Sequence, residues 1–455
     1  MLRKNNWFAV LAAALVVMMA ACGTEQDASI QIDSQTESQP SAQTSDSANH
    51  AAPPAPAEQP PVIGDRAVEL IFAGSTAASD SEFMRLHGDF IVKKYPNVTF
   101  HLKPNRDTPL AERIAIKEDM DIIIIGDATL YQLIDLEVAL DLTELAEKHN
   151  FDLSVFEPTA LDLIRNVSGG KLTALPYRVN AFVMFYNKDL FDKFGVPYPE
   201  NGMTWDETYE AAKLLTRFED GVQYYGLGGA RNQHFLLQNQ LSLELVDPDT
   251  KKAAFENDGW RKFFDHFTRF YQLPGYAKDG VLPKDADMFQ KEKRMAMYLD
   301  INGQYTQHLN SGVNFDIVQL PSFADFPGVG SQPSVSLYVL SVNSKQKDEA
   351  FVALMELLSE ETQLEKAKGG SGSPLRSTAI QEQFATEVPG MEDKNTKNLI
   401  PVNMAAPITR SLETRTAASY LQKAFERVAS GEIDVNTALR EAAEEANQKI
   451  AELKN

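Results

Sequence analysis

The sequence predicts an α/β fold, because strand-like and helix-like segments alternate along most of the chain. Val68 to Phe72 has the pattern of a buried strand. The segment after it repeats apolar residues with helical spacing, at Phe83, Leu86, Phe90 and Ile91. Two more strand-like segments follow, Val98 to Leu102 and the fully apolar Ile122 to Ile125. A fully apolar strand is typical of a parallel sheet that is covered on both faces, so βαβ organisation is expected.

The same pattern returns downstream. Ser336 to Val342 is strand-like, and the helix predicted after it carries Ala350, Phe351, Leu354, Leu357 and Leu358 on one face. A last helix is predicted over Val435 to Leu453, with an apolar stripe along it. Between these regions, Thr204 and Glu207 have the spacing of a capping box at a helix start.

Composition limits the class of protein. The 455 residues, 43% of them apolar, provide enough chain for two or three packed cores. A single cysteine excludes a disulfide framework and a cysteine-built zinc site. The net charge of -21 repels a polyanion, and no basic cluster interleaved with aromatic residues is visible. Nucleic acid is therefore excluded as a partner.

The N-terminus has the features of an export signal. Basic Arg3 and Lys4 precede Trp7 to Ala21, fifteen uncharged residues that are too few to cross a bilayer comfortably as a helix. The sequence from Met19 to Gly23 resembles the bacterial lipoprotein box, in which a cysteine thiol takes a diacylglycerol. This resemblance implies that residues 1–21 are removed and that Cys22 is lipidated, which anchors the chain on the extracytoplasmic face of the cell membrane. A plain secretory signal is the alternative.

Residues 22–65 are expected to form a disordered tether. From Thr24 to Asp65 the chain has seven acidic residues, no Lys or Arg, and almost no large apolar residue after Ile32. Such a composition buries too little surface to fold. Its prolines favour extended conformations, so the tether holds a folded body, beginning near Arg66, clear of the membrane.

The segment from Gly170 to Glu207 is the most distinctive part of the chain. It reads Gly-Lys-Leu-Thr-Ala-Leu-Pro-Tyr, then an apolar strand, Tyr-Asn-Lys-Asp-Leu-Phe, a Gly-Val-Pro turn and Thr-Trp-Asp-Glu. In this order the motifs resemble the extracellular solute-binding proteins of ABC importers, in particular the family of maltodextrin and other sugar binders. Weaker matches from Phe90 to the final helix extend the resemblance over residues 66–455.

The resemblance implies a two-lobed α/β fold with a hinge and a ligand cleft between the lobes. The N-terminal lobe would contain residues 66–179 and about 326–375, and the C-terminal lobe residues 180–325 and about 376–455. It also implies a monomer without a cofactor, which captures a small solute and delivers it to ABC permease subunits in the membrane. A mono- or oligosaccharide is the expected solute.

The candidate solute-binding residues of the N-terminal lobe lie at the ends of its strands, because open α/β sheets bind their ligands there. They are Ser75, Thr76, Asp127 and Ser336. Small residues allow backbone N–H groups to approach a ligand, and Asp127 can accept two sugar hydroxyls. Each of these residues also has an ordinary explanation as a turn or a helix cap.

Further candidates lie at the hinge and in the C-terminal lobe. Arg178 and Asn180 flank the expected hinge, and Asp300 lies near the end of a strand. Tyr305 stands where the family often has a tryptophan, so its ring either stacks on a pyranose or packs in the core. Glu292 to Arg294 replace the family's usual glycine, which leaves the alignment of Asp300 open.

Two other classes of function are possible. An exported glycan hydrolase needs a pair of carboxylates, which 64 acidic residues always permit. However, the sequence contains no Gly-x-Ser-x-Gly, no His-Glu-x-x-His and no Walker loop, so we expect no enzyme and no metal, and ATP hydrolysis belongs to a separate subunit. A binding protein that reports to a membrane sensor is the second alternative.

Overall fold

The computed structural model describes residues 62–453, except residues 75, 76, 78 and 401. The predicted signal peptide, Cys22 and the tether up to residue 61 lie outside the described residues, as do the candidates Ser75 and Thr76.

The described residues contain ten strands. In chain order they are β1 (Val68–Ala73), β2 (Val98–Lys103), β3 (Ile122–Gly126), β4 (Leu175–Asn180), β5 (Phe182–Asn187), β6 (Arg217–Glu219), β7 (Val222–Gly228), β8 (Met295–Ile301), β9 (Phe315–Gln319) and β10 (Ser334–Leu340).

Helices connect and cover these strands. In chain order the α-helices are α1 (Asp80–Phe83), α2 (Asp89–Lys94), α3 (Leu110–Ala115), α4 (Asp127–Asp135), α5 (Thr143–Lys148), α6 (Pro158–Val167), α7 (Lys188–Phe194), α8 (Trp205–Leu215), α9 (Gln233–Leu237), α10 (Asp258–Tyr271), α11 (Asp285–Gln290), α12 (Tyr305–Ser311), α13 (Lys347–Leu357), α14 (Glu360–Lys368), α15 (Thr378–Gln383), α16 (Leu412–Ala429) and α17 (Val435–Glu452). In the described part of the chain, no helix has the length and apolarity of a membrane span.

The strands form two sheets, each at the centre of one lobe. The N-terminal sheet has the order β2-β1-β3-β10-β4, with β1 parallel to β2 and β3, and β10 antiparallel to β3 and β4. The C-terminal sheet has the order β6-β7-β8-β5-β9. Each sheet packs against its own hydrophobic core, because its strands present buried apolar side chains to helices on their faces.

The hinge between the lobes is formed where the chain passes from one sheet to the other. Ala181 alone separates β4 from β5. Its carbonyl oxygen accepts a hydrogen bond from the Asn302 N–H (2.9 Å), and the Phe182 N–H donates to the Ser331 hydroxyl (2.9 Å). The chain returns to the N-terminal sheet between β9 and β10, and it leaves again near Pro374 and Leu375. The residue boundaries that we expect for the two lobes stay a prediction.

The structure confirms the three strands predicted between Val68 and Ile125, and it corrects the bounds of the strand predicted at Ser336 to Val342. β10 begins two residues earlier than expected, at Ser334, and it runs antiparallel to its neighbours. Of the stripe predicted for the last helix, Leu439, Ala442, Ala446 and Ile450 are buried in α17, Val435 is partly buried, and Leu453, which follows the helix, is exposed.

The first predicted helix is interrupted by a π-helical turn, Met84–Gly88, between α1 and α2. A π turn inserts one residue per turn and so rotates the face of the helix that follows. As a result Phe83, His87 and Ile91 are buried, whereas Leu86 and Phe90 are only partly buried. Sequence periodicity alone cannot locate such an insertion.

The capping box at α8 is confirmed. The Thr204 hydroxyl accepts a hydrogen bond from the Glu207 N–H (3.2 Å), and the Glu207 carboxylate accepts one from the Thr204 N–H (2.8 Å). The next residue, Trp205, is fully buried, and its indole N–H donates to Gln240 (2.7 Å). The cap therefore fixes the start of a helix whose first residue enters the core.

We expect Thr204→Ala to lower the free energy of unfolding by about 1 kcal/mol, because it removes the side chain of the N-cap. Urea unfolding monitored by circular dichroism measures this. Thr416→Ala is the matched control, since Thr416 lies inside α16 with its hydroxyl on the Leu412 carbonyl (2.8 Å), and alanine favours a helix interior. Equal losses in the two variants would contradict the capping role.

Candidate ligand-binding cleft

Strand register brings several predicted residues to one edge of the N-terminal sheet. Gly126, the last residue of β3, pairs with Ser336 of β10, and Ser336 also pairs with Arg178 of β4. Asp127 follows β3 directly, and Asn180 ends β4 opposite Ser334. This edge faces the residues that follow β7 and β8 of the C-terminal sheet, so the cleft has walls from both lobes.

The first cavity in this cleft, which we call the Asp127 cavity, has a volume of about 380 Å³. Its wall on the side of the N-terminal lobe contains Asp127, Thr129, Tyr131 and Ser334. Its opposite wall comes from α9 and from the start of α16, and includes Gln233, His234, Gln238, Arg410 and Arg415. These side chains supply both hydrogen-bond donors and acceptors, as a polar solute requires.

Asp127 is buried at the first turn of α4, with 8% of its surface exposed. Burial raises the pKa of its carboxyl group, while Arg410 and the backbone N–H groups of Ala128 and Val335 act in the opposite direction. The carboxyl group lacks the hydration that would stabilise its charge, so a ligand that donates hydrogen bonds to it is favoured.

Arg410 is the most unusual group of the Asp127 cavity. It is 8% exposed, and one guanidinium nitrogen, Nη1, donates to the Leu237 carbonyl (3.1 Å). The described residues supply no hydrogen-bond partner for its Nε and Nη2 atoms, nor for Oε1 of the neighbouring Gln238. Burial lowers the pKa of Arg410, and Asp127 and Glu244 oppose this shift.

Such unpaired buried groups are costly. A buried donor or acceptor without a partner costs about 1–3 kcal/mol, and more when it is charged. Arg410 and Gln238, the two side chains that carry these atoms, both line the Asp127 cavity, and the unpaired atoms lie beneath its surface.

The second cavity lies beside the hinge and has a volume of about 600 Å³. We call it the hinge cavity. Arg178 and Asn180 of β4 and Lys366 of α14 line one side, and Asn302 and Tyr305, which follow β8, line the other. Leu86 and Phe90, the residues turned outward by the π turn, complete its wall. In the described part of the chain, no cluster of His, Cys, Asp and Glu is placed to hold a metal ion.

Comparison with known proteins identifies the family. The family model described as bacterial extracellular solute-binding protein matches residues 74–364. The chain belongs to this family. The expected family and its two-lobed α/β fold are thereby confirmed.

Curated relatives of this solute-binding protein bind small polar solutes according to their names. The present chain is 26% identical over 306 residues to an sn-glycerol-3-phosphate-binding periplasmic protein of Rhizobium meliloti. The aligned region covers 62% of this chain and 69% of that protein. The chain is 30% identical over 122 residues to a mannitol-binding protein of Pseudomonas aeruginosa, covering 24% of this chain and 27% of that protein.

Solved structures share the fold. A sugar transporter protein from Rhizobium etli in an open conformation superposes with a TM-score of 0.68 at 22% identity, covering 84% of this chain and 99% of that chain. A protein from Agrobacterium vitis with bound D-mannitol superposes with a TM-score of 0.56 at 20% identity, covering 85% and 99%.

The structure divides the predicted site residues of the solute-binding protein between the two cavities. Asp127 lies in the Asp127 cavity, and Arg178, Asn180 and Tyr305 lie in the hinge cavity. Ser336 lines neither of them, because it lies two residues further into β10 than Ser334, the first residue of the strand. Ser334 does line the Asp127 cavity.

Asp300 is a correction to the expected site. It is buried in β8, where its carboxylate accepts a hydrogen bond from the Ile301 N–H (2.9 Å) and lies 3.2 Å from Nε2 of the buried His308. It lines neither cavity. Its side chain makes its contacts inside the C-terminal lobe, whereas Asn302 and Tyr305, which follow β8, line the hinge cavity.

Tyr305 is a second correction. Its residue surface is only 3% exposed, its ring packs with the core of the C-terminal lobe, and its hydroxyl donates to the Gly370 carbonyl (3.2 Å). The residue lines the hinge cavity, but too little of its surface is exposed to stack on a sugar. Of the two explanations that the sequence left open, the structure favours packing.

Sequence reasoning missed Arg410, Gln238 and Lys366. Arg410 contacts Leu237, which is 173 residues away along the chain, so no local pattern marks it. The one local signal is that it directly precedes Ser411, the N-cap of α16, and the start of a helix is a common position for ligand contacts.

We expect Tyr305→Ala to lower the free energy of unfolding by about 3 kcal/mol, because it empties a buried ring site. Tyr305→Phe removes only one hydrogen bond and should cost about 1 kcal/mol. Urea unfolding measures both, with Tyr198→Ala as the control at a partly exposed tyrosine, 39% exposed. If Tyr305→Ala were as stable as the wild type, packing would be contradicted, and the interpretation of the ring as an exposed stacking surface would be supported.

Proposed function

We propose that this protein captures a small polyhydroxylated solute outside the cytoplasm and delivers it to the permease of an ABC importer. The solute is a carbohydrate, a polyol or a phosphate ester of one. The Asp127 cavity is its binding site, and the protein performs no catalysis on it.

The observation that carries this proposal is the set of polar side chains around the Asp127 cavity, two of which, Arg410 and Gln238, have atoms without a hydrogen-bond partner among the described residues. The carboxyl group of Asp127 and Oε1 of Gln238 accept hydrogen bonds, while Nε and Nη2 of Arg410 donate them. A polyol offers hydroxyl groups that donate and accept, and so it matches both kinds of group. A volume of about 380 Å³ fits a small solute rather than a long oligosaccharide.

The relatives support the same solute class. Their names specify glycerol 3-phosphate and mannitol, and the superposed structures include sugar-binding proteins and a complex with D-mannitol. A phosphate ester would place its charge on Arg410, whose planar fork suits oxyanions. We propose the same class of solute for the present chain because the Asp127 cavity has the size and the polar groups to bind it.

Delivery follows from the two lobes. A solute that contacts Asp127 on one lobe and Arg410 on the other favours the closed state by its contacts to both. We propose that the lobes comprise residues 66–179 with about 326–375, and 180–325 with about 376–455. The closed monomer would then be the form that the permease subunits recognise.

Membrane attachment belongs to the same proposal. A thiol-linked diacylglycerol on Cys22, followed by the tether of residues 22–65, would hold the two lobes near the permease on the extracytoplasmic face. Two acyl chains provide stable anchoring, at about 0.8 kcal/mol for each CH₂ group buried.

We expect at least one of D-mannitol, glycerol 3-phosphate, glucose and maltose to bind with a defined Kd in titration calorimetry. At 100 times its Kd, a ligand should stabilise the protein by about 2.7 kcal/mol in thermal unfolding. Arg410→Gln should weaken binding of that ligand at least tenfold, because it removes the donors that face the solute.

Arg440→Gln is the matched control for this experiment. Arg440 is exposed on α17 and does not line the Asp127 cavity, so its loss should change the Kd less than threefold. Failure of all four ligands to bind, or equal effects of the two arginine variants, would contradict the proposed site.

We expect Cys22→Ser to abolish lipid attachment and to leave the precursor uncleaved or the protein in the soluble fraction, because serine lacks the nucleophilic thiol. Metabolic labelling with a fatty acid, followed by membrane fractionation, measures this. Labelled lipid on the variant protein would refute the lipoprotein assignment and leave the plain secretory signal.

A further inference from the structure

Glu244 contacts the segment that carries Arg410 but does not line the Asp127 cavity. It lies between α9 and α10 of the C-terminal lobe. Oε1 of its carboxylate accepts hydrogen bonds from the N–H (3.1 Å) and the hydroxyl (3.2 Å) of Thr409. Its own carbonyl oxygen accepts a hydrogen bond from the indole N–H of the fully buried Trp260 (3.0 Å). Glu244 therefore connects the core of this lobe to the residue that precedes Arg410.

Two further hydrogen bonds hold the same short segment. The Ile408 N–H donates to Oε1 of the fully buried Gln332 (2.9 Å), and the Thr414 hydroxyl donates to the Thr409 carbonyl (3.1 Å). The backbone is thus fixed at both of the residues that lead into Arg410. The carboxylate bound at Thr409 differs from these neutral partners, because it also brings a negative charge to the vicinity of the guanidinium.

The charges of Glu244 and Arg410 stabilise each other inside the lobe. Burial raises the pKa of Glu244, while its hydrogen bonds to Thr409 and the charge of Arg410 act in the opposite direction. Burial lowers the pKa of Arg410, and Asp127 and Glu244 oppose that shift. Oε2 of Glu244, like Nε and Nη2 of Arg410, is enclosed and has no hydrogen-bond partner among the described residues. Each of the two charges is therefore stabilised in part by the other.

Two other carboxylates lie in this region, but neither can replace Glu244. Asp247 accepts hydrogen bonds within its own turn, from the N–H groups of Asp249 (3.1 Å) and Thr250 (2.7 Å). Asp127 follows β3 of the N-terminal sheet, so it moves away from Arg410 when the lobes separate, as the proposed function requires. Glu244 is on the same lobe as Arg410 and stays beside it in the open protein.

We propose that Glu244 is a positioning residue for Arg410. Its hydrogen bonds to Thr409 fix the backbone from which the guanidinium extends, and its charge keeps the guanidinium at the wall of the Asp127 cavity in the absence of solute. Glu244 itself does not touch the solute. The inference rests on the proposed function, because it takes Arg410 as a group that binds the solute.

A double-mutant cycle tests this role. The probe is whichever of D-mannitol, glycerol 3-phosphate, glucose and maltose binds the wild type most tightly in titration calorimetry. Glu244→Ala should weaken its binding about tenfold, because the guanidinium is no longer held in place. In the Arg410→Gln background the same substitution should change the Kd by less than about twofold, since the group through which Glu244 acts is absent.

Glu207→Ala is the matched control. Glu207 accepts the same two kinds of hydrogen bond, from the N–H (2.8 Å) and the hydroxyl (2.9 Å) of Thr204, but at the start of α8 and away from the Asp127 cavity. Its loss should leave the Kd within about twofold of the wild-type value. Glu244→Gln keeps an oxygen that can accept hydrogen bonds from Thr409, so this variant should bind the probe more tightly than Glu244→Ala.

Urea unfolding without solute tests the same coupling independently of any ligand. Glu244→Ala should shift the unfolding midpoint less in the Arg410→Gln background than in the wild type, because a neutral glutamine needs no compensating charge. Failure of all four probes to bind would contradict the proposed function, and this unfolding cycle would still decide whether Glu244 and Arg410 are coupled.

Four results would overturn the inference. They are equal weakening of binding by Glu244→Ala in the two backgrounds, equal shifts of the unfolding midpoint in the two backgrounds, equal affinities of Glu244→Gln and Glu244→Ala, and wild-type affinity of Glu244→Ala while Arg410→Gln binds weakly. The last result would leave the proposed function intact. Wild-type affinity of Arg410→Gln would instead contradict the proposed solute site itself.

Discussion

The connection of β4 to β5 through Ala181 is the constraint on which the cleft depends. With a single residue between the sheets, the end of β4 and the start of β5 cannot separate, and the Asn302 N–H and the Ser331 hydroxyl hold the backbone on either side of this point. The two sheet edges therefore stay opposite each other. Both cavities exist because polar strand ends meet across this fixed connection.

The cleft contains polar side chains with atoms that have no hydrogen-bond partner among the described residues. In most of the described chain, buried charges are paired inside one lobe, as Asp285 is with Arg231 and Tyr271. Asp127 and Arg410 instead line one cavity, and Nε and Nη2 of Arg410 have no hydrogen-bond partner among the described residues. Burial of this kind reduces the stability of the unliganded protein, and under the proposed function a solute that pairs these groups would offset that cost. The same residues thus lower the stability of the unliganded protein and raise its affinity for the solute.

Local patterns were sufficient for much of the fold. Strand-like patterns identified β1 and β2, the apolar run identified β3, and spacing identified the buried faces of α13 and α17 and the cap at Thr204. These features depend on neighbours within a few residues. The order of strands and the direction of β10 depend on pairing across the sheet, which a single sequence does not encode in any local pattern.

The candidate site was less accessible to sequence reasoning. Asp127, Arg178 and Asn180 could be predicted because they follow or flank recognisable strands. Arg410, Gln238 and Lys366 come from segments that approach the cleft only after the chain has crossed between the lobes. Tyr305 and Asp300 were placed by resemblance in sequence, which does not show that both side chains are buried and make their hydrogen bonds to Gly370 and Ile301.

The π turn at Met84–Gly88 has a consequence for how the cleft can diverge among related proteins. An added Cβ at Gly88 would lie 2.4 Å from the sulfur of Met84, which is the end of a flexible side chain, so a substitution there would first displace that side chain. Loss of one residue would have a larger effect, because it would convert the turn to a regular α-helix and rotate everything after it. Phe90, now a wall of the hinge cavity, would be turned away and another side chain would take its place. A single-codon deletion here would therefore exchange one wall of the hinge cavity while leaving every strand intact, which makes this turn a point where specificity can change in one evolutionary step.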